Sequence, residues 1–120
     1  AACWSGNAQV VRKLLEHGAD VNTQGGRCGN ALQAASWENR VELVTYLLDM
    51  GADIHKQGGQ YGSALQAASW GADYRVAKLL LDRGADVNAR GGCFGSALQA
   101  ASWRGNTAIV MMLIMKGADV

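Results

Sequence analysis

The sequence predicts an all-α repeat solenoid, in which stacked helix-turn-helix units are joined by β-hairpin loops. The heptapeptide Ala-Leu-Gln-Ala-Ala-Ser-Trp occurs at 31–37, again at 64–70 and again at 97–103. The triplet Gly-Ala-Asp keeps the same period of 33 residues, at 18–20, 51–53, 84–86 and 117–119. No insertion breaks the period, so like units are expected to stack, each burying its apolar face against its neighbours.

A short first helix is predicted in each unit. Asn30, Ser63 and Ser96 each precede a run of about seven residues. Asn and Ser are favourable N-caps because their side-chain oxygen accepts a hydrogen bond from an unpaired helix N–H. The run is rich in alanine, so we expect the backbone of a neighbouring unit to approach it closely.

A second helix is predicted around 40–50, 73–83 and 106–116. Its apolar residues follow a helical stripe and not the alternation of a strand. In the second unit this stripe consists of Val41, Leu43, Val44, Leu47 and Leu48. A glycine follows each second helix, where a left-handed C-terminal cap is favoured. These glycines are Gly18, Gly51, Gly84 and Gly117.

The segment between a second helix and the next first helix is predicted to be a β-hairpin or loop. In the first copy it runs from Val21 to Gly29 and turns at the glycine pair 25–26. Equivalent pairs stand at 58–59 and 91–92. Paired glycines are typical of tight turns, so each unit is expected to be a helix, a short turn, a helix and a hairpin.

With these features in place, the sequence resembles the ankyrin repeat family over its whole length. The period matches, and so does the second-helix ending Leu-Leu-Leu-Asp-Arg-Gly-Ala-Asp-Val-Asn-Ala at 79–89. The family's usual Thr-Pro-Leu-His opening is replaced by Asn-Ala-Leu-Gln at 30–33 and by Ser-Ala-Leu-Gln at 63–66 and 96–99. The Asn or Ser still caps the helix, the fixed φ of proline is lost, and the Gln is expected to make polar contacts within its own repeat.

The Gly-Gly-x-x-Gly-x-Ala-Leu-Gln-Ala-Ala-Ser version of the repeat is similar to ankyrin arrays of filamentous fungi. Those arrays are C-terminal sensors on NACHT-type NTPase receptors and related multidomain proteins. The resemblance implies a protein partner, bound by the hairpin tips and by the concave surface that the first helices form.

The chain is predicted to be a single array of about three and a half repeats, divided into 1–22 (partial), 23–55, 56–88 and 89–120. Ala1 aligns with Ala34, in the middle of a first helix, and Val120 aligns with Ile54. Met111 and Met115 stand one turn apart at positions that are polar in the other copies. We therefore expect a piece of a longer array, packed against further ankyrin repeats at both ends.

Charge and composition argue against several other classes. The formal charge is +1, and charged residues make up 18% of the chain, so no global field attracts nucleic acid or an anionic membrane surface. No apolar run approaches the roughly 18 residues of a membrane span. Three cysteines, at positions 3, 28 and 93, match neither a disulfide framework nor a zinc site. Unpaired thiols are typical of a reducing compartment, which predicts a cytoplasmic protein.

A tryptophan column is the first candidate for a binding surface. Its members stand near the end of each predicted first helix: Trp4, Trp37, Trp70 and Trp103. One interpretation is a ladder of exposed rings that contacts a partner, since Trp is enriched at interface hot spots. The other is that each ring lies across the seam between adjacent units, because a column that never varies suits stacking better than recognition. The two interpretations are compatible.

A second candidate is the set of positions that vary within the fixed frame. They fall after the glycine pair, at Arg27, Tyr61 and Phe94, and after the tryptophan, at Glu38, Arg40, Asp73 and Arg104. We expect them at hairpin tips and at the edge of the groove, where they would set partner choice. Unconstrained drift on a solvated surface is the alternative.

Catalysis and metal binding have little support in the sequence. His17 and His55 have no Ser, Cys or carboxylate at a recognisable spacing. An aspartate recurs once per unit, too far from its equivalents to share an ion, so each is expected to accept hydrogen bonds from its own turn backbone. These residues are Asp20, Asp53, Asp86 and Asp119. The sequence predicts a non-catalytic protein-interaction scaffold without cofactor, with a structural spacer or self-associating segment as the alternative.

Overall fold

Seven helices make up the regular structure of the described part of the chain. The computed structural model describes residues 8–18, 20–22, 31–38, 40–58, 62–71, 74–93 and 95–118. The helices are α1 (Ala8–Glu16), α2 (Ala31–Trp37), α3 (Val41–Asp49), α4 (Ala64–Gly71), α5 (Tyr74–Asp82), α6 (Ala97–Arg104) and α7 (Thr107–Met115). The predicted helices are therefore confirmed in these ranges to within about one residue at each end.

The first helices α2, α4 and α6 pack side by side in one layer. Their alanines are buried, including Ala35, Ala68 and Ala101. Because these side chains are small, the neighbouring helix comes close, and Leu32 and Leu65 are buried in the same core cluster. The alanine-rich heptapeptide therefore serves helix-to-helix stacking, as its composition predicts.

The second helices form the other layer. Each of α3, α5 and α7 packs against the first helix of its own unit, and α5 also contacts α3 and α7. In α3 the buried side chains are Leu43, Val44 and Leu47, while Val41 and Leu48 are half-buried against the core. The predicted apolar stripe is confirmed, and the core runs continuously between the two layers.

The helix ends follow the predicted chemistry. Ser63 and Ser96 accept hydrogen bonds at Oγ from the backbone N–H of Gln66 and Gln99, at 3.3 and 3.2 Å. The third expected cap, Asn30, lies outside the described residues. The glycines that follow the second helices all have positive φ, from 91° to 98°, which any residue with a Cβ adopts only with strain.

The predicted β-hairpins are each reduced to a single bridge where the structure describes them. Gly58 pairs antiparallel with Gly62, and Gly91 with Gly95, each through a 2.9 Å hydrogen bond from the first glycine N–H to the second glycine carbonyl. Three residues separate the paired glycines and a helix begins directly afterwards, so no longer ladder forms. The first hairpin lies largely outside the described residues.

The aspartates of the recurring triplet stabilise the turns locally. Oδ1 of Asp20, Asp53 and Asp86 each accepts a 2.9 Å hydrogen bond from the backbone N–H two residues later. The predicted local role is therefore confirmed for these three. Asp119 lies outside the described residues.

Candidate functional site

A buried glutamine connects each unit to the next and fixes the spacing of the surface above it. The Nε2 group of Gln66 donates to the carbonyls of Gly91 and Gly95, at 2.8 and 2.9 Å. The Nε2 group of Gln33 donates to the carbonyls of Lys56 and Gly58, at 3.2 and 3.1 Å, and to that of Gly62. The carboxamide thus adds a second donor to the bridge carbonyl of the next loop, at Gly62 or Gly95, and also pairs a carbonyl at the start of that loop.

The expected polar contact of this glutamine within its own repeat is confirmed for Gln66, and a further contact crosses to the next repeat. Oε1 of Gln66 accepts a 2.7 Å hydrogen bond from the backbone N–H of Ser63. Together with the Ser63 cap this forms a reciprocal capping box. The other half of the carboxamide reaches across the seam, because the carbonyls of the following glycine loop converge on it. The repetition of Gln in three consecutive copies is the signal that could have indicated this role.

The three described tryptophans lie at the surface edge of the seams and not in the core. Trp70 is half-buried, whereas the exposed fractions of Trp37 and Trp103 are 38% and 76%. Burial between units falls instead on alanine, leucine and glutamine side chains of the first helices. Each tryptophan therefore presents part of its ring on the surface formed by the C-terminal ends of the first helices.

The ring of Trp70 is covered by a side chain of the following unit. The Arg104 guanidinium carbon lies 5.0 Å from the ring centroid, a cation–π geometry. Arg104 follows Trp103 directly, so the residue after one tryptophan packs on the tryptophan of the unit before. Trp70 therefore lies at a seam, where Arg104 covers its ring, and it is also partly exposed at the surface. Both interpretations of the tryptophan column apply in part to this residue.

Glu38 and Arg40 lie beside Trp37 and contact each other. The Arg40 Nε group is 3.2 Å from Glu38 Oε2, and the Arg40 side chain is 46% exposed. A pair of this kind contributes roughly 0–1 kcal/mol to stability. These two charges are therefore available to a partner at little expense in folding free energy.

The structure leaves the other predicted site residues without a description. Arg27, Tyr61, Asp73 and Phe94 lie outside the described residues. Their placement at hairpin tips and at the groove edge stays a prediction. Cys93, next to the last of these, is exposed with a free thiol.

The second helices carry charge pairs at their ends that the sequence analysis does not predict. Arg83 Nη2 lies 2.9 Å from Asp49 Oδ1, and Lys116 Nζ lies 4.0 Å from Asp82 Oδ1. Each cation reaches back to the carboxylate that ends the second helix of the preceding unit. The spacing of 34 residues, one more than the period, is the signal that could have indicated these pairs.

The histidines and carboxylates of the described residues form no cluster that suggests chemistry. The Nδ1 atom of His17 lies 2.7 Å from the Lys13 carbonyl, at the end of its own helix. No group of three or more His, Cys, Asp or Glu side chains that could hold a metal ion occurs within the described ranges. In the same part of the chain no helix is long and apolar enough to cross a membrane.

Comparison with known families agrees with this architecture. Residues 1–58 match a family model of ankyrin repeats in three copies, and residues 64–114 match a model of ankyrin repeats in many copies. The chain therefore belongs to the ankyrin repeat family, whose members are generally protein–protein interaction modules. No curated protein matches the chain.

Proposed function

We propose that this chain is a non-catalytic protein-binding module of the cytoplasm, which holds its partner on the ends of the first helices and on the loop tips. The observation that carries the proposal is a contrast between the residues that stack the units and the residues at the surface. The residues that stack the units repeat without change, whereas those after each tryptophan differ from copy to copy. Glu38, Arg40 and Arg104 belong to this variable set and lie beside partly or largely exposed tryptophans.

The exposed rings give this surface the chemistry of a binding site. Trp103 presents most of its ring to solvent, and large aromatic side chains contribute most of the energy at many interfaces. Charges of both signs flank the column, which favours selection among partners by complementarity more than by net attraction. The surface therefore fits a protein partner that offers mixed polar and apolar contacts.

The test is proximity cross-linking in cells with the native sequence and two multiple variants. In the surface variant, Glu38, Tyr61, Phe94 and Arg104 are replaced by alanine. In the control variant, Lys13 and Glu42, exposed on the second helices α1 and α3, are replaced instead. We expect specific partners of the native chain to be lost with the surface variant and kept with the control.

Circular dichroism must first show that both variants keep native helicity. If the surface variant then retains every partner, the proposed binding role of this surface is wrong.

A second candidate function is favoured by the outer face of the last unit. Met111 and Met115 are 53% and 81% exposed, and with Tyr74 and Lys78 they line a depression of about 450 Å³ between α5 and α7. Exposed apolar side chains this close together favour packing against another surface. The chain would then act as a structural spacer or self-associating segment of a longer ankyrin array in a multidomain, NACHT-like receptor.

Sedimentation over a wide concentration range separates the two candidates. A self-associating segment gives an average mass that rises with concentration, and the double change Met111→Lys and Met115→Glu abolishes that rise. A constant monomer mass at high concentration argues against self-association.

A further inference from the structure

An asparagine in the turn after a second helix joins two neighbouring turns at two of the three described seams between units. Asn22 donates from Nδ2 to the Gly51 carbonyl at 3.4 Å and accepts at Oδ1 from the Asp53 N–H at 2.7 Å. Asn88 donates in the same way to the Gly117 carbonyl at 3.3 Å. Each of these carboxamides therefore reaches the turn that ends the second helix of the following unit.

The middle seam, between the units of α3 and α5, has His55 at this position. One period after the Gly51 carbonyl and the Asp53 N–H, the equivalent groups are the Gly84 carbonyl and the Asp86 N–H. Within the described part of the chain these two groups take part in no hydrogen bond, and the exposed His55 ring makes none either. The middle seam therefore keeps the donor and the acceptor that a carboxamide pairs at the first seam.

A cavity of about 190 Å³ lies beside these groups and is called the seam pocket here. Ala85, whose N–H shares a peptide group with the Gly84 carbonyl, lines it. A water molecule takes up about 30 Å³ in the liquid, so the pocket has room for a side-chain carboxamide and the carbon that carries it. The polar side chains of its lining come from both turns and from the residue before α4: His55, Gln57, Ser63 and Asp86.

We propose that the seam pocket binds the primary carboxamide of an asparagine or glutamine side chain on a protein partner. The amide NH₂ of the partner donates to the Gly84 carbonyl, and the amide oxygen accepts from the Asp86 N–H. The Asn22 carboxamide makes the same pair of contacts with the equivalent groups one unit earlier. The inference rests on the proposed function, because it names a group that the bound protein offers to the loop side of the array.

The polar groups of the pocket select a carboxamide over charged side chains. A carboxylate would accept from the Asp86 N–H, but it would also face the Gly84 carbonyl oxygen and the carboxylate of Asp86, which repel it. An ammonium group would donate to the carbonyl and leave the N–H without an acceptor. A primary amide carries donors and an acceptor on one small planar group, so it pairs both backbone groups at once.

The test follows the backbone amide resonances of the full chain, labelled with ¹⁵N, while N-acetyl-asparagine methylamide is added. We expect a saturable shift of the Asp86 amide, because its N–H gains an acceptor. The Asp53 amide is the internal control, since it already donates to Asn22. The matched probe N-acetyl-aspartate methylamide has the same shape with a negative charge, and we expect it to leave the Asp86 resonance in place.

Two substitutions of His55 connect the pocket to the partner. His55→Asn supplies a carboxamide from the chain itself, so we expect it to abolish the Asp86 shift. His55→Ala is the matched control, because it removes the ring without supplying a carboxamide, and the shift should persist. In the cross-linking experiment, His55→Asn should lower the yield of the specific partner at least about fivefold, as expected for two lost hydrogen bonds, whereas His55→Ala should not.

Three outcomes overturn the inference. These are an Asp86 amide that the asparagine probe does not move, equal shifts with the aspartate probe, and a partner yield that His55→Asn leaves unchanged. In each case, loss of partners with the surface variant described above would keep the proposed protein-binding function in place, so the two failures are distinguishable.

Discussion

Replacement of Gln66 by leucine is the sharpest test of how the units are held together. Leucine fills a similar volume, so packing on α4 is largely kept. The change removes donation to the Gly91 and Gly95 carbonyls and acceptance from the Ser63 N–H, at 2.8, 2.9 and 2.7 Å. The Gln66 side chain is fully buried, so water cannot replace the carboxamide at its own position.

The magnitude follows from these three bonds. Each contributes about 0.5–1.5 kcal/mol net, and a buried group left without a partner loses about 1–3 kcal/mol. The two carbonyls are only partly buried, and the leucine gains apolar burial, so we take the lower part of this range. The expected loss is about 2–4 kcal/mol, a large fraction of the roughly 5–15 kcal/mol by which such domains are stable.

Urea unfolding followed by circular dichroism measures this loss, with tryptophan emission as a second probe for two-state behaviour. The matched control is Gln99→Leu, because Gln99 occupies the same helical position but is exposed on the last described unit. We expect the control to change the free energy of unfolding by less than about 0.5 kcal/mol. If Gln66→Leu destabilises no more than Gln99→Leu, the carboxamide is not what connects the units.

Two further substitutions test the loop and the outer layer. A Cβ at Gly62 would lie 2.9 Å from the backbone carbonyl carbon of Gly91 and would also clash with Gln66 Oε1. A Cβ at Gly84 would meet nothing within 4 Å, although both glycines have positive φ. We expect Gly84→Ala to lower the free energy of unfolding by about 1–2 kcal/mol through backbone strain alone. Gly62→Ala should lower it at least twice as much, measured by urea unfolding. Equal losses for the two variants would contradict the argument from steric contact. Met50 stands where the later units place the cation of their charge pairs, one residue plus one period after Glu16. Met50→Arg should therefore raise the free energy of unfolding by about 0.2–1 kcal/mol in low salt. The pairing is refuted if the melting temperature of this variant does not respond to 1 M salt, or if it equals the melting temperature of Met50→Gln.

Much of the fold could be predicted from the sequence because it depends on local and periodic signals. The Ser caps, the terminal glycines and the apolar stripe of α3 each act within a few residues, and the structure confirms all three. The period then dictates that equivalent surfaces meet. The hairpins were predicted less well, since a glycine pair indicates a turn without showing how many residues pair across it.

The candidate site was predictable only in outline. The sequence indicates that a tryptophan at the end of a first helix lies at the seam. It does not indicate that Arg104 covers Trp70 while Trp103 stays largely exposed. That difference depends on which side chain the next unit places over each ring. The direction of the glutamine carboxamide likewise depends on carbonyls that lie 25 and 29 residues later in the chain.

The repeat, its helices and their caps follow from short stretches of sequence, because hydrophobic period and capping chemistry are encoded in neighbouring residues. Which copies of the identical heptapeptide are buried and which are exposed depends instead on the packing between units. Gln66 and Gln99 have the same local sequence, yet the first is buried beneath a glycine loop and the second faces outward. Burial is a property of what lies across the seam, and it is set by the neighbouring unit.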